Sequence, residues 1–251
     1  MLLTLIAACF KTVVVQAVMP SRPEPARFPH EIFDRVLQKH VNDAGLVDYR
    51  GLAADRADLD LYVAYIAGVS PTHDPDLFPS RQDQEAYYLN AYNALAISGV
   101  IDRPGLKSVE DNLADFFYLT KYVMGTEPIN LYDLENKVVR ATFKDPRIHF
   151  ALNCQSGGCP RLVNHAYMPA TLEAELDAGA KEFATHPAKV NIDAAGVVHI
   201  SQIFEWYKED FESAGGPVAY INSVGGSVPA DAKVEIIPYD WSLSCQPDRG
   251  P

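Results

Sequence analysis

The stretch QDQEAYYLNAYNALAISGVI, residues 82 to 101, constrains the fold more than any other part of the chain. Alanine, leucine and tyrosine dominate it, and apolar side chains surround the helical axis almost completely. A helix that is apolar all round belongs inside a core, not on a surface. Asn90 and Asn93 lie three residues apart and therefore share a face. A buried amide without partners costs roughly 1–3 kcal/mol. Both asparagines are therefore expected to grip a neighbouring loop or to shape a pocket.

Around this central helix the remaining pattern is helix-rich. HEIFDRVLQKHV and ADLDLYVAYIAGV carry apolar residues at helical spacing, as does TLEAELDAGAKEF through Leu172, Leu176, Ala180 and Phe183. LYDLENKVVR reads as a short helix, IFEWYKEDF as another, and GGPVAYINSV as a further one. VNIDAAGVVHI reads as a hairpin turning at Asp193 to Gly196, and KVEIIPYDW as a late strand. The segment DNLADFFYLTKYVMGTEPIN after Pro104 reads as irregular. Ile148, Phe150 and Leu152 alternate with Arg147, His149 and Ala151 and predict a half-buried strand. Few short strands among many helices make this an α+β chain, a helix-rich single domain with a small antiparallel sheet.

Residues 28–251 suffice for one sizeable core. Residues 1–27 read differently: MLLTLIAACF, interrupted by Lys11, then TVVVQAVM and a proline-spaced linker. Neither apolar piece is long enough to span a bilayer alone. A secretory signal with a linker is the expectation, although no basic residue precedes the first apolar block. Ile6-Ala7-Ala8-Cys9 also looks like a lipoprotein box, so Cys9 offers a membrane tether. The protein is accordingly expected to be periplasmic or secreted. A net charge of −12 argues against nucleic acid as a partner. No phosphate-binding glycine loop or dinucleotide fingerprint is present, and no cofactor is assigned.

The chemistry is expected in HFALNCQSGGCPRL, residues 149 to 162. Cys154 stands at the end of the predicted strand, before the loop Gln155-Ser156-Gly157-Gly158. Inward-turned N–H groups of that loop would suit an oxyanion. A thiolate nucleophile also needs a base. His149 and His165 are nearest in sequence, and strand alternation would put His149 and Cys154 on opposite faces unless the strand end bends. Two other readings stay open. Cys154 and Cys159 can close a small disulfide loop in an exported protein. His149, Cys154, Cys159 and His165 form a Cys2His2 set, but without the tight CxxC knuckle of most structural zinc sites, so no metal is assigned. Glu135 and Arg140 lie five apart and do not share an α-helical face. One is therefore expected to point inward while the other contacts a different element. Asp145 and Arg147 flank Pro146 and are expected to fix the turn into the strand. Trp206, Tyr207, Asp210 and Phe211 read as an anchored helix with its aromatics in the core.

YYLNAYNALAI, LYDLENKVVR, DPRIHFALNCQSGGCPRL, FEWYKEDF and YDWSL, in that order, resemble the family called domain of unknown function 547. The resemblance runs from about residue 80 to 243. It implies a papain-like or transglutaminase-like thiol fold with a cysteine, a histidine and a carboxylate as the active set. Members of the family are commonly exported in bacteria. Cys154 corresponds to the first loop cysteine and Cys159 to the cysteine before proline. Glu135 corresponds to the acidic residue of an Ile-Glu-His helix motif, and Asn136 stands where that motif has histidine. Asparagine cannot serve as a general base near neutral pH.

Two functions follow from these residues. The first is a thiol hydrolase or acyl transferase acting on an amide, thioester or peptide-like substrate. Cys154 attacks, His149 is the base and Glu135 orients or balances charge. Asn90, Asn93, Gln155 and Arg140 shape the pocket. The second is an inactive module of the same fold that binds a peptide or small thiol.

Overall fold

The computed structural model describes residues 27–251 together with Lys11 and Thr12. The remaining N-terminal residues, including Cys9 and most of the expected signal, lie outside the described residues. Lys11–Thr12 forms a two-residue strand, β1, and no described helix is long and apolar enough to cross a membrane.

Three helices open the domain: α1 (His30–His40), α2 (Tyr49–Ala54) and α3 (Ala57–Gly68). They pack around α4 (Arg81–Ile101), the apolar helix of the sequence. Ser80 and Asp83 form a reciprocal capping box that starts α4 and satisfies N–H groups its first turn would leave open. Nearly every side chain from Asp83 to Ile101 is buried.

The segment read as irregular contains an antiparallel hairpin instead. β2 (Thr120–Met124) pairs with β3 (Glu127–Ile129) across a two-residue turn, and β1 lies parallel to β2 on its other side. The turn residues Gly125 and Thr126 both have positive φ, the conformation that matches the strand twist. A threonine at that position hid the turn from a sequence reading, because β-branched residues seldom adopt it.

LYDLENKVVR is one helical run with a wide middle: α5 (Leu131–Asp133), a π-helical stretch Leu134–Val139, and α6 (Arg140–Phe143). Lys144 ends it in the left-handed region.

The predicted strand at 148–152 is corrected to a 3-10 turn over Pro146–Phe150. Pro146 fixes the first φ and lacks an N–H to give to a sheet. The Asp145 carboxylate accepts the Arg147 N–H, closing the turn. Ile148 and Phe150 are buried, but so are His149 and Ala151, so the expected alternation of faces is absent.

α7 (Leu172–Thr185) follows, then β4 (Val190–Ile192), β5 (Val198–Ser201), α8 (Gln202–Trp206), a 3-10 stretch Lys208–Ala214, α9 (Pro217–Ser223) and β6 (Val234–Ile237). β4 and β5 form the expected hairpin, and β6 adds parallel to β5. The fold is α+β, with two small three-stranded sheets.

The core falls into two clusters. Ile148, Leu152, Leu172 and Leu176 belong to the larger one around α4, whereas Phe150, Ala180 and Phe183 belong to the smaller one beside β5 and α8. The Pro146–Phe150 turn and α7 thus straddle the seam. The cysteine loop leaves from that seam.

One buried carboxylate lies outside it. Glu85 on α4 is 1% exposed, its Oε1 has no hydrogen-bond partner, and its Oε2 lies 3.6 Å from Arg81. Burial pushes its carboxyl up to about 7, and the nearby Asp145 and Glu173 add to the shift. The folded state therefore binds this proton more tightly than the unfolded chain. Its contribution is fully present below the ordinary glutamate range and is lost as pH rises through about 7. Urea unfolding of Glu85→Gln should show a gain of about 1–3 kcal/mol over the parent protein at pH 8 that disappears near pH 4.

Candidate active site

The loop is positioned by the two asparagines of α4. Asn93 donates to Ala151 O at 3.0 Å and accepts from the Asn153 N–H at 2.8 Å, holding the strand of chain that leads into Cys154. Asn90 does the same for the returning chain, donating to Tyr167 O at 2.8 Å and accepting from the Tyr167 N–H at 2.9 Å. His30 closes that network from the other side, 3.0 Å from the Asn90 amide. Both asparagines therefore grip backbone, and neither is among the residues lining the two clefts described below.

Gln155 is fully buried with φ at +72°. Its amide ties the loop from within, accepting from Tyr49 at 2.8 Å and donating to Asn153 O at 3.0 Å. The two glycines do not present free N–H groups. Gly157 N–H donates to Ser242 O at 2.8 Å and Gly158 N–H to Asp240 O at 2.7 Å. A Cβ on Gly157 would sit 2.4 Å from the Asp240 carboxylate, and one on Gly158 would sit 2.6 Å from the Tyr239 ring. The glycines let the 239–242 segment lie against the loop, and the expected oxyanion role is corrected accordingly.

Cys154 and Cys159 are free thiols with sulfurs 3.1 Å apart. The Tyr239 hydroxyl lies 3.2 Å from Cys154 Sγ and 3.0 Å from Cys159 Sγ. The backbone N–H of Cys154 donates to Cys159 Sγ at 3.1 Å. The two thiols thus share a proton unequally. Burial opposes ionisation of both, but Cys159 collects donors from Cys154, Tyr239 and backbone N–H groups, which lower it. Its neighbour's sulfur and burial push Cys154 up. Cys159, read from the sequence as a disulfide or metal partner, is therefore within hydrogen-bonding distance of Cys154 Sγ, as is the Tyr239 hydroxyl.

His149 is buried, and its ring stacks on Tyr207 at 3.9 Å between centroids. Its Nε2 lies 2.6 Å from Asp210 Oδ2. Arg140 grips the same carboxylate with two nitrogens, at 2.7 and 2.9 Å. Burial alone would raise Asp210, but hydrogen bonds from His149 and Arg140 outweigh it and hold the carboxyl well below the usual range. A carboxylate on Nε2 places the neutral ring's proton there and leaves Nδ1 as an acceptor. Asp210, read from the sequence as part of an anchored helix, is thus the partner that orients His149. His165 instead bonds Glu175 at 3.2 Å, on the wall of a different cleft.

Glu135 points inward and Arg140 reaches another element, as their spacing implied. They nevertheless converge on Tyr207. Glu135 Oε1 accepts from the Tyr207 hydroxyl at 2.5 Å, and the Arg140 guanidinium lies 4.8 Å over the Tyr207 ring. The π-helical register, with its i to i+5 repeat, brings the two closer than an α-helix would. Tyr92 also donates to Glu135, at 3.2 Å. Burial and the Glu135 charge hold both phenols well above their ordinary range, so they remain donors. Asn136 accepts from Arg140 at 2.6 Å and donates to Tyr132 O. It braces the arginine and does not line the cleft.

Cys154, His149 and Glu135 line one cleft of about 80 Å³, walled by Trp206, Tyr207, Tyr239 and Trp241. Trp206 is 43% exposed at its mouth, not in the core as its helix suggested. A larger cleft of about 470 Å³ lies on the other side of the loop, and Cys159 and Pro160 line both. Among the described residues no group of three or more His, Cys, Asp or Glu is arranged to hold a metal ion.

Residues 77–184 match the family model described as "Protein of unknown function, DUF547". Over that segment the chain is similar to this family; the match covers less than half of its 251 residues. The matched segment contains Glu135, His149, Cys154 and Cys159, whereas Tyr207, Asp210 and Tyr239 are contributed by the C-terminal part beyond it. Comparison with curated proteins and with solved structures returned no match.

Alkylation mapped to each cysteine across pH should place the first ionisation of the pair at Cys159, near pH 7. Tyr239→Phe removes a donor to that thiolate and should move this step to higher pH. An unchanged profile would mean that the hydroxyl does not bond the sulfurs.

Proposed function

We propose that this protein is a thiol-dependent hydrolase or acyl transferase acting on a small amide, thioester or peptide-like substrate, with Cys154 as nucleophile. The observation that carries the reading is the convergence of Cys154, His149 and Glu135 on one cleft, with His149 held by Asp210. A histidine oriented by a carboxylate is the base that a thiol nucleophile requires.

In the reaction the Cys154 S–H gives up its proton, through the Cys159 sulfur it already contacts, to His149 Nδ1. The freed sulfur attacks the acyl carbon, and the carbon–sulfur bond forms as the bond to the leaving group breaks. His149, protonated at Nδ1, supplies the proton that the leaving group takes. Water or an acceptor nucleophile then cleaves the thioester, with His149 removing its proton. Tyr239 offers its hydroxyl on the same side of the cleft as the sulfurs and serves as a donor to the developing oxyanion. The loop glycine amides are occupied and do not.

A second reading is favoured by one observation: every donor around the sulfurs is already satisfied, as expected of a binding module without turnover. The same experiment separates the two. Incubation with p-nitrophenyl acetate followed by peptide mapping should find acetyl on Cys154, lost in Cys154→Ala. Acylation should slow about a hundredfold in Asp210→Asn. Acetyl on Cys159 alone, or none, would overturn the enzyme reading and leave the binding module.

The apolar segment before residue 28 supports a site of action outside the cytoplasmic membrane. Fractionation of cells producing the full chain should find it there, with the segment removed or with lipid on Cys9. Uncleaved protein in the cytosol would refute this.

A further inference from the structure

We propose that the small cleft recognises an organic cation, an alkylammonium or quaternary ammonium head, carried by the substrate presented to Cys154. This rests on the reading of that cleft as the active site and names the class of substrate it takes.

The first observation is the wall. Trp206, Tyr239 and Trp241 form a tight cluster, with centroids 4.9 Å apart for Trp206–Tyr239, 4.5 Å for Tyr239–Trp241 and 5.7 Å for Trp206–Trp241. Their rings are inclined by 37–59° to one another, so they pack as a tilted aromatic wall along the cleft and not as a flat stack. Phe117 extends it, edge-on to Trp241. Aromatic faces arranged in this way attract cations through the negative face of each ring, and desolvation strengthens the attraction.

The second observation is charge. Glu135 lines the same cleft, buried, and its two oxygens are met only by neutral phenols of Tyr92 and Tyr207. Among the described residues no ion pair reaches it, and no lysine or arginine lines the cleft. Arg140 is committed to Asp210 through two nitrogens, and those two charges offset each other. The cleft therefore holds a buried carboxylate that no cation touches directly, beside an aromatic wall. A neutral or anionic head would leave it with its two phenol donors alone. A cation would supply a countercharge.

Size agrees with this class. About 80 Å³ holds the volume of roughly two or three water molecules, the scale of a small ammonium head whose chain continues out past Trp206. The net charge of −12 raises the local concentration of such a ligand around the whole molecule.

The chain has two tryptophans, and both belong to the wall, so intrinsic fluorescence reports on this cleft directly. Choline and its uncharged isostere 3,3-dimethylbutan-1-ol are the probes. Choline should change the fluorescence saturably and slow iodoacetamide alkylation of Cys154, with the isostere about tenfold weaker or more. Glu135→Gln should weaken choline by a similar factor. Trp206→Ala, a change at an exposed side chain, should abolish discrimination between the two probes. Equal binding of both probes, no binding of choline, or choline binding that does not protect Cys154 would overturn the proposal. Neither readout requires acylation of Cys154, so failure of the acyl-transfer reading and failure of cation recognition are seen separately.

Discussion

A helix buried on nearly every side must find partners for the polar groups it carries, and α4 does so for its asparagines with two backbone clamps, Glu85 Oε1 being the exception. Asn93 binds the chain on its way into the cysteine loop and Asn90 binds it on its way out. Each amide uses both its donor and its acceptor on one backbone segment. The loop 153–160 is thereby suspended from the most rigid element of the fold. Losing either amide would leave buried backbone groups unpaired as well as free the loop.

From that suspension the site is assembled by elements that meet at the seam between two hydrophobic clusters. The π-helical stretch brings Glu135 and Arg140 to the hydroxyl and the face of Tyr207. The Lys208–Ala214 turn brings Asp210 to both Arg140 and His149. The result is a chain of interactions from Asn136 through Arg140 and Asp210 to His149. It gives Asn136 a role that a histidine could not fill in the same way: an amide oxygen accepting from a guanidinium. Asn136 itself bonds neither thiol and does not line the small cleft.

The cysteine loop shows how a conformational freedom can serve packing instead of catalysis. Glycines in such a loop suggest open N–H groups, yet here they allow the 239–242 segment to approach until Tyr239 bonds both sulfurs. The hydrogen bond between the sulfurs, together with backbone donors to Cys159, makes the two thiols inequivalent. It lowers the buried Cys159, while the half-buried Cys154 keeps the proton and faces the cleft. The thiol that ionises first is therefore not the proposed nucleophile but its neighbour, coupled to it through 3.1 Å.

Much of this was legible in the residues themselves. The all-round apolar pattern of 82–101 determined a buried helix, its asparagines determined that something must be gripped, and helical spacing placed α1, α3 and α7. Local chemistry suffices for these because periodic burial is written every three or four residues. The turn at Pro146 was misread because five residues are too few to separate a 3-10 turn from a strand by alternation. Asp210, Tyr207 and Tyr239 lie 61, 72 and 85 residues from the groups they contact, and nothing in their own neighbourhoods marks them. The sequence by itself determined a helix-rich α+β chain and drew attention to the loop after Cys154. Only the tertiary structure decided which carboxylate holds His149, which thiol ionises and what walls the cleft, because those depend on long-range packing that brings distant segments to one seam.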